Sequence, residues 1–286
     1  MPQCVNSPIY MFADDTKAFR EIVDPIDKDI LQNDLNKLSK WSKDWLVQFH
    51  PEKCSVMHLG KNNPEHAYFF NGHQLSKSEA EKDLGVTVDD NLNFNEHIVG
   101  KISKARQIWG MIRRTFKVID WDTFPLLFKA FVRPHLEYAN CVWFPAGKGT
   151  IKDIEGVQRA ATKQVPGLQG LSYPARLRTL RLPTLKHRRR RGDLIEMFKM
   201  ATGISDPNAV PPMTRVSEDI ATRGHSHKLR RPISKTTLGH NRFTSRIVND
   251  WNSLPSDIVE SPTLNTFKNR LDKYFEDDPT VFDPDV

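Results

Sequence analysis

Ile9-Tyr10-Met11-Phe12-Ala13-Asp14-Asp15-Thr16-Lys17-Ala18-Phe19 is the stretch whose reading decides the fold. Apolar, β-favouring side chains run into two adjacent aspartates, and a mixed polar and apolar segment leaves them. The pattern predicts a strand, a tight acidic turn and a return strand. Asp suits such a turn because its short carboxylate bonds nearby backbone and tolerates unusual dihedrals. Two readings of the aspartates stay open on these residues alone. They are solvated acids at a hairpin tip, or they are oxygen ligands held on a rigid turn for Mg²⁺, which takes carboxylates together with substrate phosphates.

Outward from that hairpin, the composition of the 286 residues is that of a folded, water-facing chain: 38% hydrophobic and 27% charged. No apolar run approaches the roughly 20 residues that cross a bilayer, and the first residues lack the basic flank and apolar core of a secretory signal. A membrane partner is therefore not expected. Cys4, Cys54 and Cys141 are sparse, odd in number and without metal-ligand spacing, which fits free thiols in a reducing compartment. That predicts an intracellular protein, nuclear or cytoplasmic, rather than a secreted one.

The net charge of +7 is unevenly spread. Residues 1–100 carry a balance of −6, residues 101–200 one of +14 and the last 86 residues one of −1. The middle third thus holds the whole positive excess, as expected of a surface that tracks a phosphate backbone.

Asp24-Pro25 reads as a helix start, with Asp as cap and Pro at the first helical position. Leu31, Leu35, Leu38, Trp41, Trp45 and Phe49 then recur at helical spacing, predicting a helix from Pro25 to Phe49 whose Trp41 and Trp45 side is buried. Residues 53–60, 67–70 and 84–88 read as short strands, and Asn71-Gly72 as a tight hairpin turn. Together these predict a helix on an antiparallel sheet that begins with the acidic hairpin.

From Asn93 the period becomes helical. Ile98, Ile102, Ala105, Ile108, Trp109, Ile112 and Phe116 form one stripe. Lys101 and Lys104 flank it on one side, and Arg106, Arg113 and Lys117 on the other, with Arg114 further round. A second helix is expected over 122–132, ending before Pro134, and a third over 150–165. Residues 138–145 read as a buried junction.

The densest basic run is Lys186-His187-Arg188-Arg189-Arg190-Arg191. Four successive helical residues sweep 300°, so Arg188, Arg189, Arg190 and Arg191 cannot share one solvent face. The run grips phosphate, serves as a nuclear localisation signal, or is paired inward. A Pro-rich stretch over 206–212 suggests a boundary, residues 215–240 are weakly patterned, and short helices are expected around Trp251 and Phe267. The acidic tail, 277–286, reads as disordered.

Several of these stretches resemble one family. Phe12-Ala13-Asp14-Asp15 resembles the aromatic-Ala-Asp-Asp box of reverse transcriptases. The segment from Trp41 through Trp45 to Lys53-Cys54 is similar to the helix-then-strand segment downstream of this box in non-LTR, LINE-type retrotransposon polymerases. Lys82-Asp83-Leu84-Gly85-Val86-Thr87-Val88-Asp89, with Phe94-Asn95-Glu96-His97-Ile98 after it, resembles the next block, which leads into the thumb. Trp251-Asn252-Ser253-Leu254-Pro255 with Phe267-Lys268 resembles the tail of jockey-like elements.

The resemblance implies an α+β fold: a partial reverse-transcriptase palm, antiparallel sheet with helix, then a mainly α-helical thumb and extension. The expected division is palm over 1–92, a basic thumb-like region over 93–203, an extension over 204–276 and the tail. It implies an RNA-directed DNA polymerase, a nucleotidyltransferase, in which Asp14 and Asp15 ligate Mg²⁺, or Mn²⁺ in its place. Lys53 would be the general acid for the pyrophosphate leaving group, its alternative being a solvated lysine at a strand edge. Lys101, Lys104, Arg106, Arg113, Arg114 and Lys117, with Arg188 to Arg191 in sequence, would contact an RNA template, an RNA–DNA hybrid or a DNA target.

In the family a third carboxylate and the nucleotide-gripping fingers precede the box by more than the 13 residues found here. The expectation is therefore an N-terminally truncated fragment, inactive alone, that self-associates through its exposed sheet. A nucleic-acid-binding remnant or domesticated module without chemistry is the alternative, and a structural protein with a targeting signal is a third reading.

Overall fold

The computed structural model describes residues 4–60, 62–145, 147–216 and 224–286. They form two compact units, Met1–Leu92 and Asn93–Val286.

The first unit is built of two-stranded ribbons around one helix. β1 (Ile9–Phe12) and β2 (Asp15–Ala18) pair antiparallel with Phe12 opposite Asp15. The helix α1 spans Pro25–Asp44, and its entry is held by Asp27, whose carboxylate accepts from the Asp24 and Val23 amides and from Arg20. Asp24 is the N-cap as expected, and Asp27 reaches back to its amide as the other half of a capping box. β3 (Ser55–Val56) lies parallel to β6 (Ser76–Lys77), while β4 (Phe69–Phe70) and β5 (His73–Gln74) make a hairpin. Asn71 and Gly72 turn it at φ 51° and 81°, the doubly left-handed geometry for which Asn-Gly is suited. β7 (Ala80–Asp83) and β8 (Val86–Asp89) form a second such hairpin.

These pairs are four separate two-stranded sheets, one of them parallel, among the described residues. The expected continuous antiparallel sheet is therefore not what forms. Leu84 and Gly85, expected within a strand, are instead the turn between β7 and β8, at φ 44° and 83°. Lys53 lies in a 3-10 turn over Pro51–Lys53, not in a strand. The core is Leu38, Tyr68, Phe70 and Leu75, with Leu31, Leu35, Phe49 and Val56 against it. The Gln32 side chain closes α1 onto β4, donating to the Phe69 carbonyl and accepting from its amide, both at 2.8 Å.

α1 ends five residues earlier than its apolar spacing predicts. Val47 N bonds Ser42 O at 3.1 Å and Leu46 N bonds Lys43 O at 3.4 Å, with Leu46 left-handed at φ 56°. That is a Schellman stop, usually signalled by Gly at the left-handed position. Here Leu occupies it, so the sequence carries no stop signal. The consequence is that Trp45 is 69% exposed, and the helix buries Asp34 and Leu38 instead of a tryptophan side.

The second unit is helical. α2 (Asn95–Thr115) buries Ile98, Ile102, Ala105, Trp109 and Ile112, the expected stripe, while Phe116 beyond its end stays exposed. The next helix runs through Pro134, which was expected to end it: α3 (Thr123–Leu127), a π turn (Phe128–Val132) and α4 (Arg133–Glu137) are consecutive. Pro134 has no amide to bond back, and the wider π turn takes up the mismatch. The segment after α4 buries Trp143 but leaves Tyr138 and Val142 exposed.

α5 (Lys148–Thr162) and α6 (Tyr173–Leu180) come next, then α7 (Leu185–Ala201), which packs against α4, α5, α9 and α11. α8 (Thr237–Asn241), α9 (Phe243–Asn252), α10 (Ser256–Val259) and α11 (Leu264–Tyr274) complete the chain. Leu194, Met197 and Phe198 of α7 share a core with Trp251, Phe267 and Leu271, so 204–276 is not an independent body. Nor is the tail disordered. Val281 and Thr280 carbonyls accept from the Thr184 amide and hydroxyl at 2.7 and 2.8 Å, and the Lys186 ammonium donates to the Val286 carbonyl.

Candidate active site and nucleic-acid surfaces

The box Phe12-Ala13-Asp14-Asp15 crosses the β1–β2 turn. Phe12 ends one strand, Ala13 and Asp14 are the two turn residues, and Asp15 opens the other. Ala13 sits at φ 52°, a conformation that costs a residue with a Cβ about 1 kcal/mol. Asp14 and Asp15 are exposed, and among the described residues neither carboxylate has a hydrogen bond or an ion pair. Their neighbour Lys17 is taken up by Asp83 of β7 and does not neutralise them.

Two free carboxylates on a tight turn fit part of the donor set of a hard cation, which also takes waters and phosphate oxygens. Among the described residues no group of three or more His, Cys, Asp and Glu side chains could hold a metal ion. The box therefore fits Mg²⁺ as two ligands and no more. Lys53 is exposed, and no bond or ion pair joins it to Asp14 or Asp15.

Lys101, Lys104, Arg106, Arg113 and Arg114 lie on α2, while Lys117, expected on the same helix, lies two residues beyond its end. Lys104, Arg106, Arg113, Arg114 and Lys117 are exposed and Lys101 is half-buried. Among the described residues none of them is in an ion pair; Lys104 reaches only the Gln107 side-chain oxygen, at 3.5 Å. The histidines beside them register the positive field. Burial, aided by Lys101, lowers the His97 pKa to about 4, and burial with Lys101 and Lys104 lowers that of His135.

The α7 run is the opposite case. Arg188 holds Glu137 through Nε and Nη2 at 2.5 and 2.7 Å. Arg190 pairs with Asp250 at 3.0 Å and Asp278 at 2.9 Å, and Arg191 holds Asp272 at 2.5 and 2.7 Å. Arg189 is buried, facing the charges of Glu155, Glu137 and Asp193. Successive residues 100° apart have met four different surroundings, so this run is a structural hub rather than a free cationic face. The expectation that these four arginines grip phosphate is corrected accordingly: Arg188, Arg190 and Arg191 would have to give up internal pairs, and Arg189 is buried.

Other stretches that carried the resemblance also have structural work. His97 packs on Trp143 with ring centroids 5.5 Å apart. Asn252 clamps Leu229 through both its amide atoms, at 2.9 and 2.8 Å, while Trp251 Nε1 donates to the His227 carbonyl. Sequence reasoning passes over Arg246, which binds Asp193 through two nitrogens at 2.8 and 3.0 Å. It also donates to the Asn140, Cys141 and Asn241 carbonyls. Its guanidinium lies over Phe144 and Phe243. A lone arginine in an amphipathic helix gives no signal of such a role.

No protein-family model matches the chain, and no solved structure matches it. Over 143 residues, 48% of its length, it is 25% identical to a protein of Drosophila melanogaster, the RNA-directed DNA polymerase from mobile element jockey. The chain spans 15% of that protein. The chain is thus related, over about half its length, to the RNA-directed DNA polymerase of a retrotransposon.

Proposed function

We propose that the chain is part of a non-LTR reverse transcriptase: the end of the palm over 1–92, then thumb and extension. Asp14 and Asp15 contribute two oxygen ligands to a Mg²⁺ site, which also accepts Mn²⁺. The observation that carries this reading is the hairpin turn itself. It leaves adjacent carboxylates exposed and unneutralised on a two-residue loop whose Ala13 bears backbone strain, in a chain similar to a polymerase. When bound, the ions would activate a primer 3′ hydroxyl and stabilise departing pyrophosphate. The chain's own part is to hold the ions through Asp14 and Asp15 and to offer the exposed Lys53 ammonium as a proton donor. The free cations of α2 track the backbone of a template, hybrid or target DNA.

Two carboxylates position a metal poorly by themselves, and in-line displacement is a problem of positioning. These 286 residues therefore need a third ligand from a further palm segment. The open edges of the β1–β2 ribbon, with Tyr10, Met11 and Phe12 exposed, suit pairing with such a segment or with a second copy. The test is primer extension on an RNA template with Mg²⁺ or Mn²⁺, comparing the chain with its Asp14→Ala, Asp15→Ala variant. Neither extends alone; adding an upstream palm segment of a related element restores synthesis to the former only. Extension by the chain alone, or restored synthesis that ignores the aspartates, overturns the reading. A second reading, a nucleic-acid-binding module without chemistry, is favoured by the unpaired α2 cations and expects binding that never depends on Asp14 or Asp15.

A further inference from the structure

Glu137 of α4 is surrounded by more guanidinium than one carboxylate can satisfy. Arg188 occupies both its oxygens. Arg133, one turn earlier, approaches the same carboxylate with Nε at 3.5 Å, an ion pair but too long for a hydrogen bond. Its side chain is only 18% exposed, and among the described residues it donates no hydrogen bond. Its donors are therefore left to solvent or to an incoming acceptor.

Lys129, a turn before Arg133 and inside the π segment, is exposed and in no ion pair among the described residues. Partial burial and the charges of Arg133 and Arg188, both of its own sign, hold its ammonium below the usual lysine value. Arg191, which acts on Arg133, brings a fourth cation, and Asp272 a second carboxylate. Four cations thus share two carboxylates. Arg188 and Arg191 are spent on them in hydrogen bonds, Arg133 keeps only its long ion pair with Glu137, and Lys129 has none among the described residues.

We propose that Lys129 and Arg133, backed by Arg188 on Glu137, form a binding site for a phosphate of a nucleic-acid backbone. A planar guanidinium and a mobile ammonium together present the donors that a phosphate's oxygens accept. The site takes its ligand class from the nucleic-acid part of the proposed function and is independent of the polymerase chemistry.

The test is fluorescence anisotropy of a labelled single-stranded oligonucleotide and of an RNA–DNA hybrid on the whole chain, across salt concentrations. Wild type is compared with Lys129→Gln and with Lys129→Gln, Arg133→Gln, alongside thermal melts and a pyrophosphate titration. Removing one phosphate contact should flatten the log affinity against log salt slope by about 0.7 on a single strand, with affinity falling several-fold. Lys129→Gln should melt no lower than wild type, because it removes a charge whose charged neighbours repel it. Wild-type binding with an unchanged slope in Lys129→Gln would sink this site alone. Absence of salt-dependent binding in wild type would sink the nucleic-acid reading with it. Lys129-dependent binding of pyrophosphate but not of the oligonucleotide would overturn the backbone assignment.

Discussion

Residues 101–117 and 186–191 look alike in sequence, two helical stretches dense in Lys and Arg, yet they have opposite fates. The six cations named in the first have no carboxylate partner among the described residues, whereas Arg188 and Arg191 in the second each hold one, Arg190 holds two and Arg189 is buried among acids. The difference lies in the position of the helix. α2 buries one stripe and leaves the rest to solvent. α7 packs against α4, α5, α9 and α11, so every direction its arginines take meets another element. A basic run therefore marks a nucleic-acid surface only where the fold leaves it unspent. Charge density does not measure that: α2 also packs against α4, α5 and the π turn, but its cations lie off those contacts, whereas the α7 arginines point into theirs.

The largest effect separating the two should come from the deepest pair attached to the hub. Arg246→Ala removes the partner of Asp193, whose side chain is 7% exposed, and releases three backbone carbonyls. An uncompensated buried charge of this kind costs about 3–5 kcal/mol. Denaturant unfolding should show that loss, and a change under about 1 kcal/mol would mean that the hub is not what holds the second unit. Arg190→Ala should cost less, about 1 kcal/mol, since the pair is partly screened by solvent.

The Arg190 effect should also depend on pH. Burial pushes the Asp278 carboxyl up, but the Thr280 hydroxyl and amide and the Arg190 guanidinium outweigh it and hold it below the usual value. A depressed carboxylate contributes stability above its unfolded pKa, about 3.9. That contribution is lost as pH falls through the folded value. The gap between wild type and Arg190→Ala should thus be full at pH 7 and narrow below about pH 4. A gap independent of pH would remove Asp278 from the hub.

How far the structure is legible in the sequence depends on the same distinction. The α2 stripe, the Asn71-Gly72 turn and the acidic turn are local patterns, and each forms as its residues suggest. The misreadings fall where local signals are silent. Leu46 and Leu84 take left-handed positions that Gly or Asn would have advertised, so apolar spacing makes α1 too long and turns a hairpin into a strand. Pro134 suggests a helix end because a π turn leaves no sequence mark. The tail's acidity suggests disorder, although Asp278 is one of the carboxylates that Arg190 holds. Of the candidate site, the two carboxylates are legible; which arginines are free is not, because their partners lie about 50 to 90 residues away in sequence.

On the free stretch, charge removal should show the reverse signature. Arg106→Gln, Arg113→Gln, Lys117→Gln together should leave stability within about 0.5 kcal/mol per site, as for ordinary surface positions. Their effect should appear in nucleic-acid binding, where the salt slope falls by about 0.9 for each B-DNA phosphate no longer neutralised. A triple variant that melts well below wild type would show that α2's flank carries internal structure after all.

The most conservative pair of substitutions distinguishes the two stretches without removing any charge. Arg188→Lys keeps the cation but cannot reproduce two parallel bonds to Glu137, because an ammonium lacks the planar fork. One charge-assisted hydrogen bond then disappears from a half-buried pair, a cost of about 1–2 kcal/mol. Arg113→Lys, on the open flank of α2, gives up no hydrogen bond within the chain, since Arg113 has no partner among the described residues. Its stability should not move, and its hold on a phosphate, made by a point charge, should survive with nearly the same salt slope. Urea midpoints of the two variants measured side by side give the answer. If Arg113→Lys is destabilised as much as Arg188→Lys, the flank is paired in solution and the contrast between the stretches fails. If neither moves, the bidentate bonds of α7 contribute too little for the run to act as a hub.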